Sequence, residues 1–251
     1  RFGRGEKVLA MIPGVGDGLK TVRGMALPFA LLYRSMAKDF TVYVFSRRAE
    51  LAPHMTTRDM AEDLNAAMDA LGLSSAAVLG VSQGGMIAQY LAIDHPETVD
   101  KLVLAVTAPR ANDRIRDNVS GWIGLAEQGD HKALMIDTAE KNYSEAYLKK
   151  YRKLYPMIGL LGKPKNYDRF LVNARAILGF DAYDALDKIT CPTLIIGGEE
   201  DKTVGIQASY ELNERIAGSA LHVYPGLGHA AYEEARDFNR RVLEFLEKTE
   251  I

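Results

Sequence analysis

Over residues 76–90 the hydrophobic pattern changes period inside a glycine cluster, and that change dictates a strand, a sharp turn and a helix in immediate succession. Ala76-Ala77-Val78-Leu79 is apolar at every position, the pattern of a strand covered on both faces, whereas Met86, Ile87, Tyr90 and Leu91 recur at helical spacing. Between them lies Gly80-Val81-Ser82-Gln83-Gly84, with a glycine two residues to either side of Ser82. So tight a turn strains the backbone at its apex, and neighbours without Cβ let the strand and helix approach. The spacing G-x-S-x-G leaves Ser82 two roles, a helix cap or an exposed reactive hydroxyl. What the rest of the chain brings to it decides between them.

The remaining sequence repeats the same alternation. Apolar or β-branched runs at residues 7–12, 40–45, 101–106, 191–196 and 220–224 read as strands. Helical spacing appears at 27–38, at 58–71 with Thr57 as its cap and Gly72 as its stop, at 206–216, and at the end with Phe238, Val242, Phe245 and Leu246. The predicted class is α/β, a mostly parallel central sheet with helices on both faces. From Pro109 to Tyr183 the strand rhythm stops, and helical patterns follow at 115–127, 131–141, 144–155 and 167–178. The expected organisation is one domain, with a core of residues 1–108 and 184–251 and a helical insertion at 109–183. The third inserted helix carries Tyr147, Leu148, Tyr151, Leu154 and Tyr155 on one face and Lys149, Lys150, Arg152 and Lys153 on the other. An aromatic face packed on the body with a solvated basic face is the preferred reading over a nucleic-acid surface. The sharper reading makes these tyrosines and Trp122 a pocket wall.

Composition removes several classes of function. A net charge of −2 over 251 residues offers no attraction for nucleic acid or an anionic membrane, so a small-molecule partner is expected. Cys191 is the single cysteine, which excludes an internal disulfide framework and a cysteine zinc site; beside Pro192 and an apolar run it reads as a buried structural thiol. No run approaches the roughly 18 apolar residues of a membrane span, and no signal segment opens the chain. A soluble, cytoplasmic protein is expected, with a homodimer as the candidate assembly; the start at Arg1 leaves a trimmed leader open.

In open α/β sheets ligands lie beyond the carboxyl ends of the strands, so reactive groups are sought in the loops that follow strands. Three such loops carry them in the order Ser82, Asp201, His229. A serine hydroxyl needs a base to accept its proton, and a neutral imidazole serves when a carboxylate holds its tautomer and stabilises the imidazolium. Glu199 and Glu200 compete with Asp201 for the acid. His54, His95, His131 and His222 compete with His229, but only His229 follows a terminal strand on a glycine-rich turn. No clustered ligand pattern indicates a metal. The loop from Gly14 to Gly18 lacks the Lys and Ser/Thr of a phosphate-binding loop, so it reads as a flexible loop offering a backbone donor.

Four pieces together, Ile12-Pro13-Gly14, Gly80-Val81-Ser82-Gln83-Gly84, Gly197-Gly198-Glu199-Glu200-Asp201 and Gly228-His229, make nearly the whole chain resemble an α/β-hydrolase with a helical cap. The resemblance implies a serine hydrolase without cofactor or metal, acting on a small carboxylic ester or related acyl substrate through an acyl-enzyme on Ser82. His229 would be the base and Asp201 its orienting acid. The backbone amides of Val15 and Gln83 would form the oxyanion hole, with Gln83 mattering for its amide more than its side chain. An acyltransferase with the same triad and a non-catalytic small-ligand receptor are the alternatives. The chain departs from the family where Pro13-Gly14 replaces the frequent His-Gly and where Ser46-Arg47-Arg48-Ala49-Glu50 replaces a Gly-x-Gly-x-Ser. Almost nothing precedes Lys7 to supply the family's first strands, so either a shorter sheet or a trimmed chain is expected.

Overall fold

Strands β1 (Phe2–Gly3), β2 (Lys7–Ile12), β3 (Phe40–Val44), β4 (Ala76–Val81), β5 (Val99–Ala105), β6 (Thr193–Gly198) and β7 (Ala220–Tyr224) form one sheet in the order β1-β3-β2-β4-β5-β6-β7. They belong to a computed structural model that describes residues 1–158 and 162–248; residues 159–161 of the predicted insertion lie outside the described part. Every pairing is parallel except β1 with β3. Strand β1, two residues long, lies at one end of the sheet beside β3.

Among the described residues eleven helices accompany the sheet: α1 (Ala26–Leu32), α2 (Thr57–Ala70), α3 (Gln83–Asp94), α4 (Asp113–Glu127), α5 (His131–Asn142), α6 (Glu145–Tyr151), α7 (Tyr155–Ile158), α8 (Asp168–Leu178), α9 (Ile206–Arg215), α10 (Ala231–Glu234) and α11 (Phe238–Glu247). Alternation along the strands sorts two cores. Ala10, Ile12, Val78, Leu102, Leu104 and Ile195 face α2, α3 and α9, whereas Leu9, Met11, Leu79, Val103 and Ile196 face Phe238, Val242 and Leu246 of α11. Each large side chain so buried contributes about 1.5–3 kcal/mol relative to exposure. The first core runs without a break into Ile115, Val119 and Trp122 of α4 and Phe170 and Ile177 of α8.

Several boundaries differ from expectation for local reasons. Thr56, not Thr57, caps α2, because Asp59 completes a capping box with it; the Thr57 hydroxyl instead donates to the Ala176 carbonyl near the end of α8. Helix α1 stops at Leu32, and α6 stops at Tyr151 before a 3-10 turn over Arg152–Leu154 that leaves Leu154 half exposed. The loop after β2 is not irregular; Val15–Gly18 forms a 3-10 turn with Asp17 buried. Among the described residues no helix is long and apolar enough to cross a membrane.

The register sets the site. Ile12 lies opposite Gly80, Val81 opposite Ala105, and Ala105 opposite Ile196, so the loops after β2, β4 and β5 leave one edge of the sheet together. From β2 the chain crosses to β3 on one side, and β4 then adds on the other. The crevice at that reversal lies between the loops carrying Gly14 and Ser82.

Candidate active site

Helix α3 begins at the residue after Ser82 because the glycines around it leave room. A Cβ on Gly80 would stand 2.5 Å from the Gly84 carbonyl oxygen, and one on Gly84 would strike the carbonyl of Ile12. With both positions bare the chain turns at Ser82 with φ 53° and ψ −120°. A residue with a side chain holds that conformation only when its surroundings enforce it. Here the Ser82 amide donates to the Ala105 carbonyl at 2.9 Å, and Thr107 Oγ1 donates to the Ser82 carbonyl at 2.7 Å. No side-chain capping bond is made by Ser82, which leaves its Oγ free for another partner.

That partner is His229, whose Nε2 lies 2.9 Å from Ser82 Oγ while its Nδ1 lies 2.8 Å from Asp201 Oδ2. A carboxylate only accepts, so the Nδ1 proton belongs to this bond and Nε2 is left to accept the serine proton. Asp201 and His229 are only 5% and 4% exposed. Burial pushes the Asp201 carboxyl up, but the charge and hydrogen bond of His229 and the amides of Val204 and Thr203 hold it below the usual carboxylate range. Those amides donate to Asp201 Oδ1 at 2.9 and 2.7 Å, so neither oxygen is unpaired.

Three asparagines of the segment between β5 and β6 hold the loops that carry this pair. Asn112 and Asn118 donate to the carbonyls of Val204, Lys202 and Thr203. Asn142 accepts from Thr203 Oγ1 at 2.8 Å through its side chain, and from the Ala230 amide at 2.7 Å through its carbonyl. Sequence spacing carried no signal for these contacts, which join residues some 60 to 90 positions apart.

Val15 and Gln83 are the first residues of the 3-10 turn and of α3, where helix geometry leaves N–H groups without an intrahelical acceptor. The intervening Gly14 packs so closely that a Cβ there would lie 3.3 Å from Ser82 Cβ. Ser82 and His229 open into a cavity of about 340 Å³ with apolar walls that include Val15, Trp122, Leu134, Met135, Phe170 and Tyr232. Lys20, Thr138 and Asn142 add its polar points. Of the aromatic residues singled out in the sequence, Trp122 reaches the cavity; Tyr147 instead stacks on Tyr143 and packs at a tilt against Tyr151, and Tyr155 donates to Glu140.

The competing groups are engaged elsewhere or exposed. Glu199 accepts from the Gly226 amide and Glu200 is exposed, His95 pairs with Glu62, His131 packs on Tyr167, His222 on Tyr224, and His54 is exposed. Burial pushes the Cys191 thiol up, away from a reactive thiolate.

A polar cluster behind the crevice was missed. The Asp17 carboxylate accepts from Ser46 Oγ at 2.5 Å, the Arg47 amide at 3.1 Å and Arg169 Nη2 at 2.5 Å, and Arg169 Nη1 also donates to the Asp17 carbonyl. Arg47 donates to the Gly14 carbonyl at 3.1 Å and to Gln83 Oε1 at 3.0 Å, while Gln83 Nε2 donates to the Asn173 carbonyl at 2.8 Å. The Gln83 side chain, expected to matter less than the amide, is fully buried and tied at both ends. The departure at Ser46-Arg47 was the signal that could have found this cluster.

The chain matches the family described as alpha/beta hydrolase fold over residues 8–236, and it belongs to that family. It is 28% identical over 265 aligned positions to the 2-hydroxy-6-oxononadienedioate/2-hydroxy-6-oxononatrienedioate hydrolase 2 of Pseudomonas putida, covering 98% of this chain and 90% of that one. A Caulobacter sp. (strain K31) protein provisionally named carbamate hydrolase RutD is 29% identical over 208 residues, 80% of this chain and 76% of the other. Among solved structures, the enol-lactonase of Burkholderia xenovorans LB400 superposes with a TM-score of 0.84 at 20% identity, covering 98% of this chain and 93% of that one.

Proposed function

We propose that this chain is a cofactor-independent serine hydrolase that cleaves a small, largely apolar carboxylic ester or related acyl substrate. The observation that carries the reading is the unbroken hydrogen-bonded line Ser82–His229–Asp201 ending in an apolar cavity. The hydrolase names of the relatives support hydrolysis in general.

In this reading His229 Nε2 takes the proton from Ser82 Oγ as the oxygen attacks the acyl carbon, and Asp201 stabilises the imidazolium that results. The tetrahedral oxyanion is held by the amides of Val15 and Gln83; loss of one such donor typically costs a factor of about 10²–10³ in kcat. His229 returns the proton to the leaving group. A water, deprotonated by His229, then releases the acyl group from Ser82. The helical insertion 109–183 acts as the cap, bringing Trp122, Leu134, Met135 and Phe170 over the cavity.

A fluorophosphonate probe should label the native protein, and short-chain p-nitrophenyl esters should turn over. Ser82→Ala should abolish both. Absence of labelling and turnover in the native protein, or full activity in Ser82→Ala, overturns the assignment. Product analysis with competing alcohols distinguishes an acyltransferase, and ligand binding without turnover a receptor.

A further inference from the structure

We infer that Arg47 is a positioning residue for this reaction: one buried guanidinium holds both oxyanion-hole residues and polarises the peptide that supplies one of the two donors. The inference rests on the serine-hydrolase reading.

The two hydrogen bonds of the Arg47 guanidinium go to the residues in question. Nη1 donates to the Gly14 carbonyl at 3.1 Å, and that carbonyl belongs to the same peptide group as the Val15 N–H. Donation to a carbonyl oxygen strengthens the N–H at the other end of the amide, because hydrogen bonds in series polarise one another. Nη2 donates to Gln83 Oε1 at 3.0 Å, anchoring the side chain of the residue whose amide is the second donor. A change in the place of this guanidinium therefore moves both donors at once.

Stability is a poor reason for such an arrangement. The Arg47 side chain is 3% exposed, its Nε has no hydrogen-bond partner, and a buried ion pair often gains nothing over apolar residues of the same volume. The cluster also sets two guanidinium groups, Arg47 and Arg169, against the one carboxylate of Asp17. It therefore carries an excess positive charge behind the place where the oxyanion forms. Burial lowers the Arg47 pKa to about 10, with Asp17 opposing and Arg169 adding to the fall, so the group is charged at neutral pH. Arg169 lies on α8 and donates to the Arg47 and Arg48 carbonyls, and Gln83 reaches the Asn173 carbonyl on the same helix. Helix α8 thus holds the Arg47 backbone directly and its guanidinium through Gln83.

Arg47→Met keeps the volume and removes both charge and fork, while Arg47→Lys keeps the charge and loses the fork. Both should lower kcat about 10- to 100-fold with KM changed less than about threefold, the split expected when an interaction of the transition state alone is lost. The affinity of a boronic acid that becomes tetrahedral on Ser82 should fall by the same factor as kcat. Guanidinium added to Arg47→Ala should restore part of kcat. If Arg47→Met is folded and keeps its kcat, the inference is wrong. Should Arg47→Met not fold, Arg47→Lys decides: a kcat within about twofold of the native value, or a loss shared equally between kcat and KM, also overturns it. Failure of the hydrolase reading looks different, because the native protein and Ser82→Ala would then be alike in labelling and turnover.

Discussion

At the scale of single residues, the proposed chemistry depends on groups whose charge states the surroundings decide. Burial alone would raise the Asp201 carboxyl, and His229 with the amides of Val204 and Thr203 reverses that, so its folded pKa lies below the unfolded value of about 3.9. The stability this carboxylate contributes is complete above about pH 3.9 and is lost as pH falls through the lower folded value. Asp201→Asn should therefore flatten that part of the acid limb in urea titrations at successive pH values, and an unchanged limb would contradict the assignment. The same substitution should reduce kcat by a factor on the order of 10⁴, as expected when the imidazole is left in the wrong tautomer. Ser82, Asp201 and His229 were legible in the sequence because each follows an apolar run on a loop rich in glycine or acid. The buried side chain of Gln83 and its partner Arg47 were not, since their meaning lies in a contact across 36 positions that no local pattern records.

Among the elements, boundaries are set by caps, and the pattern of apolar residues locates them only to within a residue or two. Helix α2 carries two adjacent threonines; Thr56 accepts from the Asp59 amide while the Asp59 side chain accepts from the Thr56 amide. The spacing Thr56-x-x-Asp59 resembles the capping-box signature and distinguishes it from Thr57. Thr56→Ala should cost about 1 kcal/mol in chemical denaturation, and Thr56→Ser should recover most of it. Equal stability of the native protein and Thr56→Ala would remove the cap as a source of helix stability. The aromatic face of α6 was legible as a stripe but not in its use. Tyr143 and Tyr147 stack at 4.3 Å, and the Tyr143 hydroxyl donates to Glu233 of α10 at 2.6 Å, an element too short to show any period.

For the whole molecule, the alternation of strands and helices declares a parallel sheet, but strand order is a matter of which strands pair, and local periodicity is silent on it. The end of the strand rhythm at Pro109 likewise marks where the helical segment between β5 and β6, the proposed insertion, begins without saying how firmly it joins the body. Its helices α4 and α8 share one continuous core with α2 and α3, and asparagines 112, 118 and 142 bind the loops of Asp201 and His229. An insertion attached in this way cannot leave without exposing apolar surface of the body and unpairing buried carbonyls, each a cost of about 1–3 kcal/mol. Separate unfolding of the insertion is therefore disfavoured, and the chain should melt as one cooperative unit. The single tryptophan makes this measurable, because Trp122 lies in α4, is 3% exposed and donates to Asp137 of α5 at 2.7 Å. Its fluorescence reports the insertion, whereas far-ultraviolet circular dichroism reports all the helices and the sheet. The two should give the same urea midpoint and the same slope. A fluorescence transition at clearly lower urea than the dichroism would mean that the insertion unfolds on a body that stays folded, and would reduce the shared core to a contact between separate units.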